Sequence, residues 1–410
     1  MQRGKPDASW WTIRPDDFIR VPARCIPVPS ARFRSGSVFI SEVQTLPSGM
    51  YRPDHAISAP ITTQRDLVHM FDTPTKKPDM HSARLSVAPM MDWTDRHCRY
   101  FHRQLSRHTQ LYTEMVTAPA LVRGGALHLL HHDPKENPLV LQLGGSDPAE
   151  LAQAARLGWE AGYQEINLNC GCPSDRVQSG CFGAVLMTRP ALVGEICAAM
   201  LAASPARISV KCRIGVDEQD PAEALPQFLE TVSQAGVEDV TIHARKAWLQ
   251  GLSPKDNREI PPLDYPLVLA MKASFPHLRI SINGGITSLA QARAFLDQGL
   301  DGVMIGRAAY QRPADLLLGA DAGVFGQPAT TTVHTALDAM RPYIAQELAR
   351  GTKLASVTRH MLGLFAGQPG ARHWRRVLSE QAHRPAAGLD VLDNALAAMA
   401  QAATEPGSQD

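Results

Sequence analysis

From about Leu85 onward, short runs of apolar and β-branched residues alternate with stretches whose apolar positions recur every three or four residues, and this alternation sets the fold class. The extended runs are LSVAPM (85–90), LYTEMVT (111–117), PLVLQLG (138–144), EINLNCG (165–171), ISVKCRIG (208–215), DVTIHAR (239–245), RISINGG (279–285) and GVMIGR (302–307). Between them lie segments such as DPAELAQAARLGWEAG, PALVGEICAAMLAAS and SLAQARAFLDQG, which start at Asp, Pro or Ser and stop at or near Gly. Strand then helix, repeated eight times, predicts an α/β fold, a parallel (β/α)8 TIM barrel over residues 81–325. A doubly wound open sheet is the rival, but its glycine signature would follow the first strand, where this chain has LSVAPMMDW. After about residue 330 the strands cease. TALDAMRPYIAQELARG, VTRHMLGLFAG, HWRRVLSEQAH and VLDNALAAMAQ predict an all-helical domain over residues 326–404.

The two ends of the chain differ from its middle in composition. Residues 1–80 hold 10 of the 31 prolines and 11 basic against 8 acidic residues, without sustained periodicity, so a poorly ordered N-terminal extension is expected. Its arginines permit a transit-peptide reading, but the amphipathic helix of such peptides is missing. Translation beginning at Met70 or Met80 is the preferred expectation. The whole chain carries a formal charge of only +1, so nucleic acid would have to be drawn by a local patch. Residues 341–384 offer one. Arg341, Arg350, Lys353, Arg359, Arg372, Arg375, Arg376 and Arg384 face only Glu347 and Glu380, and Trp374 sits among arginines in RHWRR, where stacking and phosphate contact could share one surface. A solvated helix face is the plainer alternative. Cysteines at 25, 98, 170, 172, 181, 197 and 212, an odd number with no secretory leader, suggest reduced thiols in a cytoplasm. No apolar stretch is long enough to span a membrane. The C-x-C-x8-C spacing of Cys170, Cys172 and Cys181 lacks the pairs of a structural zinc site, so no metal is expected.

In a barrel of this kind the active site lies at the C-terminal ends of the strands. Those ends carry Pro89-Met90, Glu114, Gln142, Asn169 with Cys172, Lys211, His243, Asn283-Gly284-Gly285 and Gly306-Arg307. Small-residue turns after strands seven and eight, with Arg307 beside them, suit a phosphate group, although each alone could be only a tight turn. Strand alternation sets Ser209 and Lys211 on the face opposite Ile208 and Val210. A lysine buried there needs an anion, and a reduced flavin, negative near N1 and O2, would supply one. His243 would be a second donor. Taken singly, a strand-end lysine in solvent and a satisfied core histidine are equally expected. Cys172, between Gly171 and Pro173, leaves its strand on a turn where a thiol can act as a general acid, whereas Cys170 reads as wall packing.

In these residues the chain resembles the tRNA-dihydrouridine synthases, and within them the synthase A subfamily. The likeness covers about residues 84–400 and rests on APMMDWTDRHCRYFHR, YTEMVTAPAL, LQLGGSDP, EINLNCGCPSDRVQSGCFGA, VKCRIGVD, IHARKAWLQGLSPKDNREIPPLDY, INGGI and IGRAAY, in that order. The resemblance implies FMN held by Pro89, Met90, Met91, Gln142, Lys211, His243, Asn283, Gly284, Gly285, Gly306 and Arg307, recharged by NADPH. It implies hydride transfer from flavin N5 to uracil C6 of D-loop uridines 20 and 20a, with a proton from Cys172 to C5. It implies tRNA contacts at Lys255, Arg258, Arg372 and Arg375, with Asn169 facing the target base. A monomer is expected. Two departures stand out: the family commonly has an apolar residue where this chain has Cys170, and residues 1–80 have no counterpart in its core. The competing expectations are an FMN barrel oxidoreductase acting on a free pyrimidine, and an RNA-binding barrel that has lost its cofactor.

Overall fold

The computed structural model describes residues 84–174 and 180–404; the expectations for residues 1–80 and for Cys25 lie outside the described residues. The eight extended runs form β1 (Leu85–Val87), β2 (Leu111–Thr117), β3 (Leu139–Gly144), β4 (Glu165–Cys170), β5 (Arg207–Arg213), β6 (Asp239–His243), β7 (Arg279–Asn283) and β8 (Gly302–Ile305). They pair in the order β1-β8-β7-β6-β5-β4-β3-β2, and every pairing is parallel. Gln110, just ahead of β2, closes the ring: its N–H donates to the Leu85 carbonyl (3.0 Å) and its carbonyl accepts from Val87 N–H (2.9 Å). The (β/α)8 barrel expected from the apolar runs is therefore the fold. Several strands stop two or three residues short of their apolar runs. Pro89 has no N–H to continue the ladder, and Gly284 and Gly285 leave the extended region at φ +111° and +71°.

The helices begin where short polar side chains can satisfy free N–H groups. Asp147 accepts from Glu150 N–H (2.8 Å), Asp220 from Ala222 N–H (2.9 Å) and Asp264 from Leu267 N–H (2.9 Å). Pro148, Pro190 and Pro221 stand at the first helical turn, where the missing donor costs nothing. Their apolar stripes pack on the outside of the sheet. Gly158 lets the helix Pro148–Glu160 approach closely, since a Cβ there would come within 2.6 Å of the Leu141 side chain.

The helices Val333–Ala349, Leu354–Thr358, Ala371–Gln381 and Asp390–Thr404 follow the barrel, and the first of them is anchored to the helix Arg96–Leu105. Tyr100 and Tyr343 stack with centroids 3.9 Å apart, His97 Nδ1 lies 2.7 Å from the Tyr343 hydroxyl, and Arg96 pairs with Glu347 at 2.7 Å. The continuous helix expected over 357–367 is absent. The helix Leu354–Thr358 runs instead into a single tight turn, Arg359–Met361, from which Arg359 and His360 reach back to the Asp95 carboxylate (2.6 and 3.0 Å).

The stacking role expected of Trp374 is overturned. Its ring is fully buried against Phe365, edge to face at 4.9 Å, and its indole N–H donates to the Met361 carbonyl (3.0 Å), so no base can reach it. The basic surplus is also thinner than the residue count implied, since Arg341 pairs with Asp393 (2.7 Å), Arg350 with Glu347 (2.9 Å) and Arg359 with Asp95. Of these partnerships only Arg350 with Glu347, three residues apart, lies within reach of local sequence. Replacing Trp374 with Ala is expected to lower unfolding stability by about 3–5 kcal/mol, measured by denaturant titration. Trp374→Phe is expected to leave RNA affinity unchanged.

Candidate active site

Strand register stacks the inward-facing residues in slanted rows. Above Glu165 and Arg207, one row joins Gln142, Asn167, Ser209, Asp239 and Arg279, the next Asn169, Lys211, Thr241 and Ser281, and the one nearest the mouth Arg213, His243, Asn283 and Met304. A file of hydrogen bonds crosses the rows. Asn169 Nδ2 donates to Gln142 Oε1 (2.9 Å), Gln142 Nε2 to Asn167 Oδ1 (2.8 Å), Asn167 Nδ2 to Ser209 Oγ (3.0 Å) and Ser209 Oγ to Glu165 Oε1 (2.8 Å). At the floor, Glu165 also accepts from Gln110 (3.0 Å) and pairs with Arg207, while Arg279 pairs with Asp239. Each of these side chains has at least one partner, which is what makes burial of so many of them tolerable, although the buried Arg279 Nε has none among the described residues.

At its upper end this file positions the thiol. Asn169 Oδ1 accepts the N–H groups of both Gly171 and Cys172 at 3.0 Å, fixing the turn that carries Cys172 out of β4. The Cys172 carbonyl accepts Ala184 N–H (2.9 Å), and Sγ lies 3.4 Å from the Ser174 hydroxyl in a half-buried setting. Arg213 braces the turn from below: Nε donates to the Gly171 carbonyl (2.9 Å) and Nη1 to the carbonyls of Lys246 (2.9 Å) and Asn257 (3.0 Å). Sequence reasoning missed Arg213. The signal was available, since two residues beyond Lys211 on one strand must face the same way. Asn169 itself, expected to face a substrate base, has its oxygen committed to the turn and keeps one amide hydrogen uncommitted.

The mouth is crowded with desolvated cations. Burial and the neighbouring Arg213 pull the Lys211 ammonium down from 10.5 to about 8, and no carboxylate pairs with it among the described residues. Burial, with Arg213 and Lys211 beside it, holds the His243 imidazole well below its usual range, and its buried Nδ1 has no hydrogen-bond partner. An orphaned ring nitrogen, an unpaired lysine and a left-handed glycine turn fit an anionic, hydrogen-bonding ligand. Space at the turn is tight: a Cβ on Gly284 would lie 3.2 Å from the His243 ring, and one on Gly285 would lie 2.6 Å from Leu263. Gly306 borders Met90, whose sulfur would lie 3.8 Å from a Cβ there. Asn283 donates to the Met304 carbonyl (2.7 Å). Met91 is 54% exposed. Arg307 is engaged by Glu259, a partner that sequence reading did not anticipate.

The residues expected to meet RNA fall into two groups. Lys255 and Arg258 lie on the exposed loop after β6, and Arg258 is close enough to Cys172 and Arg307 for their charges to act on it. Arg372 and Arg375 project from the exposed face of the helix Ala371–Gln381, opposite buried Trp374, Val377 and Leu378, and no ion pair holds them among the described residues. Among those residues, no helix is long and apolar enough to cross a membrane.

A closed parallel barrel with a braced thiol and unpaired cations at the C-terminal ends of its strands defines a TIM-barrel enzyme. Residues 86–403 match the family described as dihydrouridine synthase (Dus). Over 319 residues the chain is 57% identical to a protein of Vibrio cholerae serotype O1 named tRNA-dihydrouridine(20/20a) synthase, covering 77% of this chain and 97% of that protein. Over 324 residues it is 57% identical to the protein of that name from Escherichia coli strain K12, covering 78% and 93%. The chain belongs to the dihydrouridine synthase family, a family of oxidoreductases. A solved old yellow enzyme homologue from Zymomonas mobilis aligns with a TM-score of 0.44 at 12% identity, over 62% of this chain and 92% of that one.

The depressed Lys211 value has a thermodynamic consequence. Between about 8 and 10.5 the folded chain has released that proton while the unfolded chain still holds it. More protons bound by the unfolded state means that ligand-free stability rises with pH across this window. Comparison with Lys211→Met, which should lack this component of the rise, checks it in melting temperatures taken from pH 7 to pH 10.

Proposed function

We propose that this chain is an FMN-dependent tRNA-dihydrouridine synthase that reduces D-loop uridines 20 and 20a with NADPH as reductant. The observation that carries the reading is the 57% identity, over nearly the whole of the relatives' length, to proteins named for that activity. The geometry of the mouth supports it. Lys211, mostly protonated at neutral pH with a value of about 8, offers charge to an anionic ring edge, and neutral His243 offers a ring nitrogen for a hydrogen bond. Gly284, Gly285, Gly306 and Arg307 would receive the phosphate, with Glu259 yielding Arg307 to it. Pro89, Met90, Met91, Gln142 and Asn283 would complete the wall.

FMN bound there would supply hydride to uracil C6. Cys172 would supply the proton to C5, and the thiolate left behind would be faced by Lys211, Arg213 and Arg258, each of which carries positive charge near that sulfur. The target base must leave its stack to reach this depth. Lys255, Arg258, Arg372 and Arg375 would hold the tRNA backbone, while Asn169 keeps the Cys172 turn in place and turns its remaining amide hydrogen to the base.

Cys172→Ala is expected to retain FMN while losing at least a hundredfold in dihydrouridine formation, read by nucleotide analysis of tRNA that lacks the modification. Turnover close to that of the native chain would remove the thiol from the reaction. Free uracil is expected to leave NADPH oxidation unstimulated, and stimulation equal to that by tRNA would instead favour a free-pyrimidine oxidoreductase. Arg372→Ala with Arg375→Ala is expected to lower the slope of log affinity against log salt by about two. An unchanged slope would mean that this helix face is only solvated.

A further inference from the structure

β2 is irregular where it nears the mouth. Tyr112 pairs with Val140 and Met115 with Gln142, so Thr113 and Glu114 together stand opposite one residue of β3, forming a β-bulge. Gln142 N–H donates to the Thr113 hydroxyl (3.0 Å), which in turn donates to the Glu114 carbonyl (2.7 Å), so a side chain replaces the ladder bond that the bulge removes. The Glu114 carboxylate accepts the N–H of Asp92 at 2.5 Å, in the turn that leaves β1.

Asp92 stands at φ +64°, a left-handed conformation that a residue with a Cβ adopts at a cost and keeps where its surroundings impose it. The rest of the turn is closed around Met90. Its carbonyl accepts from Trp93 N–H (3.1 Å) and Thr94 N–H (2.9 Å), and its own N–H donates to the Thr94 hydroxyl (2.9 Å). Arg99 holds the far end through the Thr94 carbonyl (2.8 Å), and the Met90 side chain lies beside Gly306. Glu114 occupies an expensive place. Burial pushes its carboxyl above the usual range, and Asp95 and Asp92 nearby push the same way, while the Asp92 N–H pulls it back. A half-buried acid beside two others is hard to explain as surface charge, and the constraint on Asp92 explains it.

We propose that Glu114 is a positioning residue for the cofactor: through the Asp92 N–H it fixes the left-handed turn that presents Met90 to the FMN site. The proposal rests on the FMN reading given above. The test is titration of FMN into the full-length chain freed of flavin, followed by flavin fluorescence. If the native chain does not bind FMN, the cofactor reading fails, and this proposal with it. If the native chain binds, Glu114→Ala is expected to weaken FMN roughly tenfold, equivalent to about 1.4 kcal/mol. Glu114→Gln keeps an acceptor oxygen and should stay within about threefold of native affinity. Asp92→Gly added to Glu114→Ala should restore most of the loss, because glycine takes φ +64° unforced. Native affinity in a folded Glu114→Ala chain, or no recovery in the double variant, would overturn the proposal. Should Glu114→Ala fail to fold, Asp92→Gly in the native background decides. A raised melting temperature with FMN affinity kept supports the constraint, and a lowered one refutes it.

Discussion

A file of hydrogen-bonded side chains through the interior of the barrel holds the active site in place. Each strand contributes an inward residue only at alternate positions, and here the file uses amides, a hydroxyl and a carboxylate where many barrels use aliphatic layers. Such a file is stable only when every member has its partner, since an unpaired amide in that interior forfeits its full desolvation cost. Full pairing leaves little freedom to any one of them. Gln142 cannot rotate without stranding Asn167 and Asn169, and Asn169 cannot move without releasing the two N–H groups that hold Cys172. The position of the sulfur is thereby tied, residue by residue, to the ion pairs among Glu165, Arg207, Asp239 and Arg279 at the opposite end of the barrel.

The mouth follows the reverse principle. Lys211, His243 and Arg213 are gathered there with no compensating carboxylate among the described residues, and each is shifted toward its neutral form by burial and by neighbouring cations: Arg213 acts on Lys211, Arg213 and Lys211 on His243, and Arg258 and Arg245 on Arg213. A protein interior tolerates this where an anion completes the set. Arg213 spends its hydrogens on three backbone carbonyls, so it stabilises the Cys172 turn and the loop after β6 together. Asn257 locks that loop from its other side, exchanging hydrogen bonds with the backbone N–H (2.7 Å) and carbonyl (2.8 Å) of Trp248.

The C-terminal helices are held to the barrel by Asp95, which caps the helix Arg96–Leu105 and also receives Arg359 and His360. Contact with these three groups holds its carboxyl well below the usual range against the opposing effect of burial. Cations that a count along the chain assigns to a free basic face are in part consumed by such contacts. Among those left exposed, Arg372, Arg375 and Arg376 share one side of one helix.

The barrel was legible in the sequence because its signal is local: alternation within a strand, apolar spacing within a helix and a cap at its start are each fixed by a few neighbouring residues. The family motifs likewise marked Cys172, Lys211 and His243 before any contact was known. Tertiary structure alone decided where each polar group spends its hydrogen bonds. Trp374 turned from a surface ring into core, Arg307 acquired Glu259, Arg213 became the brace of the thiol turn, and a bulge in β2 aimed Glu114 at Asp92. Those partners lie 13 to 48 residues apart in sequence or depend on one extra residue in a strand, and register and packing between elements, which no local pattern encodes, brought them together.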